Sequence, residues 1–137
     1  MDWKRCINER QVKPVKPDHD MAASLKETSE NKALSSNELK LKEKTAAAKI
    51  SLSYDSVREL LEAIALIKGY KIYNHICYVS FLKEILAQPE LGEDFDTLRK
   101  IRNDINYYGE KVSVTEAQQV LRDLAELRKK LLTLQKE

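Results

Sequence analysis

Residues 46–69 read AAAKISLSYDSVRELLEAIALIKG and predict a helix at the centre of the core. Apolar residues recur there at three- and four-residue intervals, which places them on one helical face. Gly69 ends the pattern as a C-cap. A capping box over Ser35–Glu38 predicts that this helix begins near residue 35. The predicted stripe consists of Ala46, Ile50, Tyr54, Val57, Leu61 and Ile64, widened by Leu60 and Ile67.

An acidic row runs beside this stripe. Asp55, Glu59 and Glu62 follow one another at four- and three-residue spacing, with Arg58 between them. The row is a candidate partner for Arg102, which lies on a later predicted helix. Alternatively, its carboxylates face water.

The same criteria predict three further helices. One covers about 18–34, capped by Asp18 or Asp20, and its apolar face is sparse: Met21, Ala22, Leu25 and Thr28. Another covers about 75–87, with Asn74 as its cap, and is apolar over more than half its circumference. The last follows a capping box of Ser113 and Glu116 and carries the seam Val120, Leu124, Leu127, Leu131 and Leu134.

A fourth helix is predicted after a turn over 88–93, and it contains the stretch 98–109, LRKIRNDINYYG. Arg102 lies within its apolar face, where a charge is costly unless it is paired. The alternatives are a structural ion pair and a ligand site. Between Arg102 and the capping Gly109 lie polar and aromatic residues: Asn103, Asn106, Tyr107 and Tyr108. The predicted buried face of this helix consists of Phe95, Leu98, Ile101, Ile105 and Tyr108.

Short connections between four or five amphipathic helices predict an all-α, up-and-down antiparallel bundle over 18–137. Residues 1–17 are predicted to form a loosely held basic arm. Trp3 is the exception, because a tryptophan is usually covered, here by the bundle or by a partner subunit. Few glycines and prolines interrupt the chain, and we expect no β-strand.

Charge and cysteine content limit the kinds of function that the sequence supports. Lys and Arg exceed Asp and Glu by only two, so any RNA contact would be local. Cys6 and Cys77 lack CxxC spacing, so we expect no zinc site and no other metal or cofactor. Two isolated cysteines indicate a reducing environment, in which Cys77 fills space in the core. His19 and His75 lie far apart in the sequence; His75 is either a general base or a structural histidine. With no apolar run of about eighteen residues and no signal sequence, we expect a cytoplasmic protein without membrane association.

The stretch LRKIRNDINYYG resembles the motif of the HEPN family, small all-helical prokaryotic domains of toxin–antitoxin pairs, nucleotidyltransferase partners and defence systems. The family motif is Arg, often followed by Asn or Asp, then four to six residues and His. Arg102 and Asn103 match it. Tyr107 and Tyr108 stand where catalytic members carry histidine. The helix over 54–69 also resembles the family's central helix, so that the likeness covers roughly residues 20–135.

The resemblance implies a homodimer associated with nucleotides or RNA. Catalytic members are thought to cleave RNA without metal, using Arg and His brought together across a dimer. A phenol, whose pKa is about 10, transfers protons poorly near neutral pH, so the expected function is non-catalytic binding. The expected ligand-binding residues are Arg102, Asn103, Asn106, Tyr107, Tyr108, Asp55 and Glu59.

Two alternatives stay open. One is a metal-independent ribonuclease toxin of a toxin–antitoxin pair, with Arg102, Tyr107 and Tyr108 as catalytic residues, aided by Asp55 or Glu59. The other is a substrate-binding partner of a nucleotidyltransferase.

Overall fold

The computed structural model describes residues 1–135; the last two residues of the predicted bundle, 136 and 137, lie outside this range. The described chain is mainly α-helical, which confirms the predicted all-α class. Its elements, in order, are α1 (Trp3–Asn8), β1 (Val12–Pro14), α2 (His19–Glu38), α3 (Ala46–Lys68), β2 (Tyr70–Ile72), α4 (Ile76–Ser80) with a π-helical turn (Phe81–Ile85), α5 (Pro89–Tyr108) and α6 (Val114–Gln135).

Helix α3 is the central helix, in contact with α2, α5, α6 and β2. The predicted stripe from Ala46 to Ile64 is buried along its whole length. Gly69 ends the helix in the left-handed region, with φ of 90°. The two long helices of the hairpin, α2 and α3, make the most extensive contact between elements.

The predicted start of α3 near residue 35 is wrong. Helix α2 continues to Glu38, and the N–H of Leu39 bonds the carbonyls of Ser35 and Ser36. Ser35, the predicted cap, lies inside α2 and is exposed. Its neighbour Ser36 is buried against α3, where its hydroxyl donates to the carbonyl of Lys49 at 3.1 Å. The serine pattern thus marks a helix–helix contact.

Small residues bring α2 close to α3. Ala22, Ser29 and Ser36 recur every seven residues on the buried side of α2. Ser29 donates to the carbonyl of Ser56 at 2.6 Å, and Ser56 donates back to the carbonyl of Ser29 at 2.7 Å. Met21, predicted to be in the apolar face, is instead 44% exposed. The prediction failed because hydroxyl pairs, not large apolar side chains, join the two helices.

The N-terminal segment is packed, which corrects the prediction of a loose arm. Trp3 is only 8% exposed and lies 5.1 Å from Tyr70 and 5.7 Å from Phe81 between ring centroids. Strand β1 pairs antiparallel with β2, in a register that places Val12 opposite Ile72. The expectation of no strand is therefore also wrong, because two three-residue strands are too short to leave an alternating pattern.

Cys6 of α1 and Cys77 of α4 form a disulfide, with their Cα atoms 6.1 Å apart. This corrects the prediction of two separate cysteines in a reducing environment, with Cys77 as core filling. Both are fully buried, but as a covalent link across 71 residues. Such links are typical of oxidising compartments. Sequence spacing alone does not reveal a pairing over this distance.

The second half of the bundle follows the prediction more closely, apart from element boundaries. The predicted helix over 75–87 is α4 followed by the π-helical turn. Helix α5 begins at Pro89, so the predicted turn over 88–93 contains its first turn. The predicted cap at Ser113 is confirmed, since the N–H of Glu116 bonds Ser113 Oγ at 3.1 Å. The Glu116 carboxylate accepts from the Ser113 hydroxyl, at 3.0 Å, rather than from the backbone N–H of a capping box. The α6 seam is buried from Val120 to Leu131.

Within residues 1–135, no helix has the length and apolarity needed to cross a membrane.

The disulfide predicts a stability that depends on reductant. A disulfide typically contributes about 2–4 kcal/mol, mainly by restricting the unfolded chain, and a loop of this length favours the upper end of that range. We expect the free energy of unfolding, from urea titration followed by circular dichroism, to fall by that amount when reductant is added. A variant carrying both Cys6→Ser and Cys77→Ser is the control and should not respond. Two titratable thiols in native protein purified without reductant would contradict the pairing.

Candidate functional site

Helix α5 places Arg102 against α3. One terminal nitrogen, Nη2, lies 3.7 Å from Asp55 Oδ1, too long for a hydrogen bond. The guanidinium carbon lies 5.1 Å from the centre of the Tyr54 ring. The Nε atom of Arg102 is buried and has no acceptor among the described residues. The Arg102 side chain is only 16% exposed, so this donor is costly to leave unpaired.

The neighbouring arginine of α5, Arg99, is hydrogen-bonded to a carboxylate. Arg99 donates from Nη2 and Nε to Asp96 Oδ1, at 2.7 and 3.1 Å. Burial by itself would raise the pKa of Asp96, but Arg99 and Lys100 hold it below its ordinary value. Arg102 has a carboxylate nearby but no such bonds. Arg102 is therefore the arginine of α5 that makes no hydrogen bond to its nearest carboxylate and keeps a buried donor unpaired.

A buried tyrosine and histidine lie behind Arg102. The hydroxyl of Tyr54 is 3.1 Å from Nδ1 of His75, and the Tyr54 ring stacks on Phe95. Burial raises the pKa of Tyr54. Burial, reinforced by the charges of Arg58 and Arg102, lowers the pKa of His75 to about 4. Both groups are accordingly neutral at pH 7.

The end of α5 carries the remaining predicted ligand residues. Tyr107 is 71% exposed, with its ring centre 6.0 Å from the Arg102 guanidinium carbon. Asn106 Oδ1 accepts a bond from Ser51 at 3.1 Å, and Asn103 is half-buried. Tyr108 is 78% exposed, which corrects its assignment to the buried face. The helix has no neighbour covering it there, among the described residues.

Glu59 does not join this cluster. Its carboxylate is buried and accepts bonds from Lys32 at 2.5 Å and from Thr28 at 2.8 Å, both on α2. Asp55, one turn earlier, contacts α5 instead. Two carboxylates on one row of α3 are thus divided between two neighbouring helices, which sequence spacing does not reveal.

Sequence reasoning omitted two residues of the cluster. Tyr54 was assigned to the core stripe, and His75 was considered alone. Their contact joins α3 to the residue before α4, 21 positions away. The available signal was the placement of Tyr54 one residue before Asp55, the predicted partner of Arg102. Among residues 1–135, no group of three or more His, Cys, Asp or Glu side chains is arranged to hold a metal ion.

The depressed pKa of His75 predicts a pH effect on stability. Because the folded protein disfavours the protonated ring, this contribution is complete above about pH 6.5 and is lost as the pH falls through about 4. We expect the free energy of unfolding of the parent to decline more steeply over this range than that of His75→Gln. An NMR titration of the His75 ring protons should show a midpoint near 4. A midpoint near 6.5 would contradict the described environment.

Comparison of the chain with protein-family models, curated proteins and solved structures finds no match. No relative therefore assigns a role to the Arg102 cluster, and an argument about its function depends on its own geometry.

Proposed function

We propose that this chain is a HEPN-like helical protein that binds a nucleotide or single-stranded RNA at Arg102 without cleaving it. The observation that carries the proposal is the unpaired, buried Nε of Arg102 beside the exposed ring of Tyr107. A ligand that carries an anionic group and a planar ring would bind both the Arg102 donor and the exposed Tyr107 ring.

A phosphate suits the free donors of Arg102. A guanidinium presents its N–H groups as a rigid fork that matches phosphate oxygens. The Nε proton and one terminal N–H point in parallel, so a phosphate that reached both would be held by two bonds. Because Nε is buried, the side chains around it would have to move aside first. Asp55 opposes the anion, but at 3.7 Å it holds Arg102 only loosely.

Tyr107 and Tyr108 are suited to stacking on the bases of a nucleotide or RNA. Tyr107 and Tyr108 expose most of their surface at the end of α5, where large aromatic side chains are unusual unless they contact something. Stacking of a base on an aromatic ring contributes about 1–3 kcal/mol and tolerates any base. Asn103 and Asn106 supply amide groups on the same side of the helix for hydrogen bonds.

The geometry favours binding over the ribonuclease alternative. Metal-independent cleavage requires a group that gives and takes a proton near neutral pH. His75 is in the vicinity, through Tyr54, but a pKa of about 4 makes it a weak base and leaves it unprotonated at pH 7. Tyr107 or Tyr108 would have to act instead, in full solvent.

The homodimer, the nucleotidyltransferase partner and the cytoplasmic location belong to this proposal as well. They derive from the family resemblance and the sequence. The disulfide bears on location, because a reducing cytosol disfavours it unless its burial protects it.

Binding and cleavage of short labelled single-stranded RNAs, without added metal, test the function. We expect binding without cleavage. Arg102→Ala should weaken it about 10- to 100-fold, the usual effect of losing charged hydrogen bonds. Tyr107→Ala should also weaken it, whereas Tyr107→Phe, which keeps the ring, should bind like the parent.

The matched control is Arg122→Ala, which removes an exposed arginine of α6. It should change affinity little, and circular dichroism should show every variant folded. Cleavage abolished by both Arg102→Ala and Tyr107→Phe would replace the proposal with the ribonuclease. If the parent neither binds nor cleaves, and Arg102→Ala lowers the unfolding temperature, then Arg102 is structural and the proposal fails.

The homodimer is tested by light scattering at micromolar concentration. We expect twice the mass of one chain, as the family resemblance implies, and exposed side chains other than those of the proposed ligand site are there for a second copy to cover: Met21, Leu34 and Tyr73. A single-chain mass at that concentration contradicts the dimer without affecting RNA binding by one chain.

A further inference from the structure

A second polar site, separate from Arg102, lies between α2, α3 and α6. It is a cleft of about 240 Å³. Its apolar wall comes mainly from α6. Its polar residues are serines from α2 and α3 together with three cations and an amide: Ser36, Ser53, Ser56, Lys49, Arg128, Lys129 and Asn37.

The serine hydroxyls have no hydrogens left for a ligand. Ser36 donates to the Lys49 carbonyl, and Ser56 donates to the Ser29 carbonyl. Ser53 lies 2.8 Å from Ser36 Oγ, and since the Ser36 proton is already used, Ser53 is the donor in that pair. The remaining donors of the cleft therefore belong to the cations and to Asn37.

The cations have donors in excess. Lys49 Nζ bonds the carbonyls of Ser36 and Leu39, which leaves one of its three protons. Arg128 donates from Nε to Ser56 at 2.9 Å and from Nη2 to Ser29 at 3.4 Å. Its Nη1 protons have no acceptor among the described residues.

No carboxylate forms a salt bridge with these cations among the described residues. Within residues 1–135, neither Lys49, Arg128 nor Lys129 has an acidic group within 4 Å. Lys49 is buried, and burial lowers the pKa of Arg128, with the charge of Glu30 acting in the opposite direction. Neutral serine oxygens and carbonyls solvate the cations, but a desolvated charge is best stabilised by an opposite charge.

We propose that this cleft binds a phosphate group, either as inorganic phosphate or as the phosphate of a small phosphomonoester. The anion would lie between the terminal nitrogens of Arg128 and the ammonium of Lys129. The volume is below the 300–1,000 Å³ usual for drug-sized ligands, which limits the ligand to a phosphate with a small organic body. The inference does not depend on RNA binding at Arg102.

The test uses the whole chain, titrated separately with sodium phosphate, glycerol phosphate and sodium chloride, and followed by amide shifts in NMR spectra. We expect saturable shifts of residues around the cleft with both phosphates and not with chloride. Arg128→Gln should weaken binding at least tenfold. Lys129→Gln should weaken it less, because Lys129 is exposed.

Lys130→Gln is the matched control, since Lys130 is exposed on the same helix and does not line this cleft. Because Arg128 also bonds two serines, Ser53→Asp serves as a second variant. It leaves those bonds in place and introduces a carboxylate, so it should abolish binding and raise the unfolding temperature. Tighter binding of glycerol phosphate than of phosphate identifies a phosphomonoester, and equal binding identifies free phosphate. Non-saturating shifts, or binding unchanged in both Arg128→Gln and Ser53→Asp, would overturn the proposal.

Discussion

The burial of α3 among its neighbours is the constraint on which the rest of the structure depends. An apolar stripe from Ala46 to Ile64 requires covering elements on several sides, and polar residues at the margins of that stripe must find partners on those elements. Ser56 forms a hydrogen bond with Ser29 of α2, and Glu59 forms a salt bridge with Lys32 of the same helix. Asp55, at the margin facing α5, meets Arg102 only at 3.7 Å.

The two candidate sites follow from this constraint. Arg102 and Arg128 are both partly buried guanidinium groups at the margin of α3, and both keep donors without protein acceptors. Their surroundings differ. Arg102 has a carboxylate nearby and aromatic rings beside it, which suits a base-bearing ligand. Arg128 has serine oxygens and further cations around it, and no carboxylate within 4 Å among the described residues, which suits a compact anion.

The fold was predictable where a pattern is long and periodic. The α3 stripe, the α6 seam and the caps at Asp18, Gly69 and Ser113 were all read correctly, because each depends on residues within a few turns. The boundary between α2 and α3 was predicted wrongly, because the SSNE pattern of residues 35–38, which is typical of a capping box, lies inside α2. In the candidate site, the acidic row of α3 was predicted as a partner for Arg102, but not which of its carboxylates lies nearest. The contact between Tyr54 and His75 was not predicted, and neither was the pairing of Glu59 with α2.

The sequence by itself determined the all-helical class, the central helix and the exceptional position of Arg102 within an apolar face. These follow from local periodicity and from the cost of burying a charge, both of which act along one helix. Only the tertiary structure decided which carboxylate meets Arg102, that Trp3 and Cys6 hold the N-terminal segment on the bundle, and that three cations share one cleft. Such contacts join residues up to 99 positions apart, and the distance between them is set by the packing of whole helices.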